Sequence, residues 1–202
     1  MLKKKPAIAR IFLLLMAGCF FSCADNAETA EKPALPPVYF DVNSFLSEQM
    51  KHLNQTKPTV QKTVTNGELG PQTETLENVN WEQELAFFLE ADINKPAWRQ
   101  TYSGDTLTDK TTGAKTYVYQ NTTEEDAVVK LVKVDVTAGN QVKTIRLETR
   151  LNNALFFAGR QLQLSCDTTP GKNQLKTYQI HGVQKPVFGD SLRYTVEAVI
   201  LY

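Results

Sequence analysis

A chain of 202 residues, 42% hydrophobic and 22% charged, has the length for roughly one domain that buries about two thirds of its unfolded surface. Its 22 basic and 22 acidic side chains cancel, but Lys3, Lys4, Lys5 and Arg10 sit together at the N-terminus, so the body keeps 18 basic against 22 acidic, about −4. Such a balance argues against nucleic acid as a partner.

Residues 1–10 carry those four positive charges and residues 11–21 are almost wholly apolar. A basic stretch followed by a hydrophobic one too short to span a bilayer is the layout of a secretion signal. Met16-Ala17-Gly18-Cys19 and Phe20-Phe21-Ser22-Cys23 each resemble the bacterial lipobox, in which a small residue precedes a cysteine that is acylated and becomes the mature N-terminus. Cleavage before Cys23 leaves the polar Ala24-Asp25-Asn26 at the new terminus, which favours Cys23; Ala17-Gly18 is the more typical pair, which keeps Cys19 as the alternative. Fatty acyl chains such as palmitate contribute about 0.8 kcal/mol per buried methylene, so a multiply acylated terminus stays on the membrane.

The organisation implied is a lipoprotein signal peptide at 1–22, a tether at 23–37 and one domain at 38–202. The tether holds Asp25, Glu28, Glu31 and three prolines with no apolar periodicity, the composition of a disordered spacer. Asp25 also resembles the acidic surface-export signal of Bacteroidota lipoproteins, although the full acidic stretch is incomplete. The address implied is the bacterial cell envelope, as an outer-membrane lipoprotein facing the periplasm or the outside.

From Asp41 onward, Val42, Phe45, Leu46, Met50 and Leu53 fall close to the spacing of one helical face, with Asp41 as N-cap and Lys57-Pro58 as the stop. His52 near the end of that helix reads as a solvated residue. Residues 59–65 alternate as a strand, Asn66-Gly67 is a favoured tight turn, and residues 72–76 can return. This hairpin needs docking on a larger sheet to be stable. A second helix is signalled by Asn80 with Gln83 three residues on, and Trp81, Leu85, Phe88 and Leu89 form its buried stripe until Pro96 stops it. The run from Trp81-Glu82-Gln83-Glu84-Leu85 through Ala91-Asp92-Ile93-Asn94-Lys95-Pro96-Ala97-Trp98 resembles a segment recurring in uncharacterised Bacteroidota lipoproteins, a resemblance that carries no activity with it.

Short alternating segments then follow to the C-terminus. Residues 99–107 and 117–119 are strands around a Thr-, Asp- and Gly-rich loop. In 127–137 the apolar even positions Val128, Val132, Val134 and Val136 share a face, with Val129 and Leu131 opposite. Ile145, Leu147, Thr149 and Leu151 point inward on the next strand. If Leu155 and Phe157 also face in, the phase changes before Leu162, Leu164 and Cys166, and Gly159 is a natural place for a β-bulge that repairs it. Cys166 is the one thiol of the body, so no disulfide forms within it, and its alternation with Leu162 and Leu164 makes it a core thiol. The last strand alternates Leu192, Tyr194, Val196, Ala198, Ile200 and Tyr202 onto one face.

The fold expected is α+β: two N-terminal helices packed on a mostly antiparallel meander of about seven to nine strands, with a half-barrel as its curled variant. In the curled variant Tyr117, Tyr119, Phe156, Phe157, Tyr178 and Tyr194 line an apolar cavity for a ligand; otherwise they fill the core. His52 and His181 stand far apart in sequence without metal-ligand spacing, no phosphate-cradling glycine loop is present, and no serine lies in a nucleophile elbow. No cofactor, metal or catalytic residue is therefore assigned. The function expected is a non-catalytic, membrane-anchored binding or interaction module for a lipid or other hydrophobic ligand. The alternatives are an assembly partner of another envelope protein and, third, an envelope hydrolase in which His181 or His52 would meet a nucleophile or carboxylate.

Overall fold

The computed structural model describes residues 36–67, 70–123, 127–170 and 172–202. The signal peptide, Cys19, Cys23 and most of the tether lie outside the described residues.

Alternation along the chain produces nine strands: β1 (Thr59–Asn66), β2 (Gln72–Leu76), β3 (Tyr102–Thr108), β4 (Lys115–Asn121), β5 (Val129–Val136), β6 (Val142–Asn152), β7 (Phe156–Asp167), β8 (Gln174–Pro186) and β9 (Leu192–Leu201). They form one antiparallel sheet in the order β2-β1-β9-β8-β7-β6-β5-β4-β3. β3 to β9 are thus a continuous meander, and the early hairpin β1–β2 docks on its last strand. The two edge strands, β2 and β3, do not meet, so the sheet is open rather than closed into a barrel.

α1 (Val42–Thr56) begins where the Asp41 carboxylate accepts a hydrogen bond from Ser44 N, and ends at Lys57 in the left-handed region, one residue before Pro58. The second expected helix divides into α2 (Trp81–Glu84), capped by Asn80 on Gln83 N, and α3 (Ala86–Glu90), with Leu85 at φ −99° and ψ 12° between them. Helices this short are not stable alone. Their shape follows the packing of Trp81, Leu85 and Phe88, all buried against the sheet.

Period-two alternation separates the sheet into two faces. On the helix face, Val60, Val132, Val134, Ile145, Leu147, Leu162, Leu164, Tyr178, Ile180, Ala198 and Ile200 are buried with Leu46, Leu53, Leu85 and Phe88 of the helices. Beneath α2, Tyr178 Oη donates to Glu84 (2.6 Å) and Lys62 Nζ pairs with the same carboxylate oxygen (2.7 Å). Burial, and then the hydrogen bond to Glu84, hold the Tyr178 hydroxyl well above its ordinary pKa. On the open face the corresponding positions are Lys133, Asp135, Thr144, Arg146, Gln161, Gln163, Gln179, His181 and Glu197, half-buried or exposed.

Three local expectations are corrected. The register runs unbroken through Gly159 on both sides of β7, so the glycine is not a bulge; Phe156, Ala158, Leu162 and Leu164 keep one phase on the helix face, which sends Phe157 to the open face. The irregularity of β7–β8 falls instead between Ser165 and Cys166, setting Cys166 opposite Leu175. A second irregularity, between Val129 and Leu131, turns Val129 into the core beside Val132, where strict alternation had set it opposite. His52 is half-buried, its Nε2 2.8 Å from Gln174 Nε2 and its ring 5.9 Å from that of Tyr202.

Residues 92–99 clasp the start of the domain. Asn94 Oδ1 accepts from Val38 N and Tyr39 N at 3.0 Å each, its amide donates to Tyr39 and Phe40 carbonyls, and Arg99 donates to Pro36 O at 2.8 Å. Tyr39 Oη in turn donates to Arg99 O, ahead of β3. Residues 92–99 thus fasten residues 36–40 to the body of the domain.

Candidate functional site

Gly159 is the low point of the open face. Cross-strand register places Arg150, Gly159, Val183 and Arg193 side by side on β6, β7, β8 and β9, and Glu148, Gln161, His181 and Thr195 in the next row. A Cβ on Gly159 would stand 3.3 Å from the Phe157 ring and 3.4 Å from Val183 Cγ1. With only hydrogen there, a depression of about 420 Å³ opens over the strand, floored by Phe157 and Val183 and rimmed by Arg150, Arg193, Lys130 and His181. Arg150 and Arg193 belong to strands three spacings apart, about 14 Å.

A second depression, about 490 Å³, lies on the same face toward the opposite end of the strands, around Asp135. At its centre the polar groups satisfy one another: Asp135 accepts from Thr116 Oγ1 (2.7 Å), Thr144 Oγ1 and Arg146 Nη1 (2.8 Å), and Arg146 Nε donates to Gln163 (3.0 Å), while Lys115 and Lys143 line its margin. Burial alone would raise the Asp135 carboxyl, but these hydrogen bonds and the Arg146 charge outweigh it and hold the group below its usual value. At the Gly159 depression the situation is reversed. Among the described residues, the side chains of Lys130, Arg150, His181 and Arg193 enter no hydrogen bond or ion pair. Glu148 is the one carboxylate of the lining, against Lys130, Arg150, Arg160 and Arg193, and such an excess of charged donors around a hollow is what a binding site for an anionic group requires.

The six aromatics picked from the sequence are not gathered around one hollow. Tyr178 is buried against Phe88, ring centroids 6.5 Å apart. Tyr117 and Tyr119 are half-buried on the helix face; Tyr117 stacks on Phe40, and Tyr119 Oη accepts from Phe40 N while its ring meets Tyr39 edge-on. Tyr194 lies across Gly182 on that same face, and its hydroxyl accepts from Arg160 Nε, whose guanidinium sits 4.3 Å from the Phe87 ring. Phe156 is exposed at the end of β7. Of the six, Phe157 and Tyr194 line the Gly159 depression. The basic rim escaped sequence reasoning because Arg150 and Arg193 read as ordinary outward-facing charges. The usable signal was Gly159, once its strand is kept in phase.

The chain matches no protein-family model, and no curated protein matches it.

His181 stands between Gln161 and Thr195 across the strands, and no carboxylate orients its ring among the described residues. Cys166 is half-buried, and desolvation pushes its thiol up to about 12, so it stays protonated at neutral pH. Among the described residues no group of three or more His, Cys, Asp and Glu is placed to hold a metal ion. The lining of the depression offers charge-assisted hydrogen bonds at the rim and an apolar floor.

Proposed function

We propose that this protein is a membrane-anchored lipoprotein of the bacterial envelope, of the Bacteroidota kind its 81–98 segment resembles, that works as a non-catalytic binding module. The Gly159 depression is its ligand seat. The carrying observation is the pair Arg150 and Arg193, both without an ion-pair partner among the described residues, on either side of the apolar Phe157 and Val183 floor. That arrangement suits a small amphipathic anion, with a carboxylate, phosphate or sulfonate at the rim and an apolar body below. The anchor rests on the lipobox and the tether, with Cys23 as the acylated residue and Cys19 as the alternative.

Two measurements test this reading. Titration with 8-anilinonaphthalene-1-sulfonate, which carries fused rings and one sulfonate, is expected to give saturable fluorescence enhancement that weakens about tenfold or more in the Arg150→Ala/Arg193→Ala variant, the scale of losing charged hydrogen bonds. Unchanged affinity would remove the depression from the proposal. Metabolic labelling with palmitate is expected to mark the wild-type chain and fail with Cys23→Ser; label lost only with Cys19→Ser moves the anchor, and label absent from the wild type ends it.

A second reading, assembly with another envelope protein, is favoured by one feature: β3 is a sheet edge, exposed from Ser103 to Thr108 and free of lysine and proline. Co-purification of one partner in stoichiometric amount, abolished by Thr106→Pro, is the outcome that would support it.

A further inference from the structure

The two ends of the sheet differ in kind. At one end, the connections 109–114, 137–141 and 168–173 are rich in Thr, Asp, Asn, Gly and Lys and carry no large apolar side chain, and polar side chains turn back on their own connection: Asp109 accepts from Thr111 N and Thr112 Oγ1, and Asp167 from Thr169 N. At the other end, the β6–β7 and β8–β9 connections carry Leu155 (75% exposed), Val187 (56%) and Phe188 (90%). These tips are held in place. Asn153 Oδ1 accepts from Leu155 N and Phe156 N, and Val187 N donates to Leu155 O at 3.0 Å, tying the two connections together.

The domain also begins at this end. Pro36 is held by Arg99, just before Tyr102, and the ladder Tyr102–Asn121 lies at the same end as Arg150, Gly159, Val183 and Arg193. From β3 to β8 is five strand spacings, about 24 Å. The twelve residues between Cys23 and Pro36, thirteen Cα–Cα steps, can span no more than about 47 Å. A bilayer that holds the acylated cysteine therefore lies within reach of the apolar tips. The opposite end of the strands is farther by the length of a strand of ten or so residues, about 35 Å.

We infer that the sheet end from which the tether leaves also rests on the bilayer, with Leu155, Val187 and Phe188 entering the interfacial layer and the rim of the Gly159 depression facing the lipid. The apolar tips carry this docking rather than charge. Lys185 and Arg193 flank them, but Asp190 is beside Phe188. The inference rests on the anchor proposed above, and its test separates the two.

Mature acylated protein carrying Asp190→Cys in the β8–β9 connection, or Lys110→Cys in the β3–β4 turn, is labelled with bimane and reconstituted on phosphatidylethanolamine/phosphatidylglycerol vesicles containing brominated acyl chains. The half-buried Cys166 is the background thiol, controlled by the unsubstituted protein. Docking predicts quenching at position 190 about tenfold stronger than at position 110, and a fall toward the position-110 level when Leu155→Ser and Phe188→Ser are added, because the apolar side chains drive insertion. Equal quenching at both positions on protein whose acyl chains are seen by mass spectrometry overturns the docking and leaves the anchor standing. A mature chain without acyl mass overturns the anchor and the docking with it.

Discussion

The two faces of this sheet share the same strands and are built on opposite terms. Leu162 and Leu164 of β7 are buried under the helices, while Gln161 and Gln163, their immediate neighbours in sequence, face outward on the same strand. Two glycines sharpen the contrast. Gly182 of β8 lies under the Tyr194 ring, so close that a Cβ would stand 2.1 Å from Tyr194 Cζ; Gly159 of β7, on the other face, has its nearest neighbours at 3.3 and 3.4 Å and opens to solvent. One glycine is required by a filled space and the other makes an empty one. The lesson is that stability and recognition are divided between the faces, so substitutions on the two should fall into separate classes.

The largest expected effect lies on the helix face. Leu164→Ala removes a fully buried side chain between Ile145 and Tyr178 and is expected to cost about 2–5 kcal/mol in urea unfolding, whereas Gln163→Ala next to it should stay within about 0.5 kcal/mol. Equal losses at the two positions would break the division outright.

Next in size is the glycine pair. Gly182→Ala forces the Tyr194 ring away and with it the hydrogen bond from Arg160, a displacement expected to cost about 1–3 kcal/mol. Gly159→Ala meets only contacts of a few tenths of an ångström too tight, and its methyl projects into the hollow, so stability should move by less than about 0.5 kcal/mol while anilinonaphthalenesulfonate binding falls. A Gly159→Ala protein that unfolds as readily as Gly182→Ala would show that the depression is a structural necessity rather than a seat.

Much of the covered face was legible in the sequence because its signals are local. Asp41 and Asn80 cap helices at the positions their spacing gave, and β9 alternates as written, whereas the first hairpin closes between Val64 and Gln72, a longer connection than the tight Asn66-Gly67 turn expected. Less legible was whatever depends on pairing. Nothing local announces that Val129 rejoins the core through an irregularity between β5 and β6, or that the irregularity of β7 belongs at Cys166 rather than Gly159. The rim of the depression was hidden for the same reason: Arg150 and Arg193 lie 43 positions apart in the chain and come to flank Gly159 and Val183 only when β6 to β9 align. Aromatics drew the eye because burial makes them common in cores, and Tyr117, Tyr119, Tyr178 and Tyr194 are engaged on the helix face.

The smallest expected effect compares the two depressions of the open face. Asp135 is held below its usual carboxylate value in the folded protein, against about 3.9 for an unperturbed aspartate. A folded value below the unfolded one means that its contribution is fully present above about pH 4 and is lost as pH falls through the lower folded value. Asp135→Asn should therefore be less stable than wild type at neutral pH by no more than about 1 kcal/mol, the scale of a partly exposed ion pair, and the gap should close as the wild-type carboxylate is protonated. Asp109 and Asp167, also held low by their threonine neighbours, are common to both proteins and cancel in the difference. The paired Arg146 then gives the reference for Arg150: removing Arg150 should leave thermal stability and its pH profile unchanged, because no carboxylate among the described residues depends on it. An Arg150→Ala protein whose acid unfolding shifts as that of Asp135→Asn does would mean that this guanidinium already has a partner within the chain, and the depression would lose its claim on an external anion.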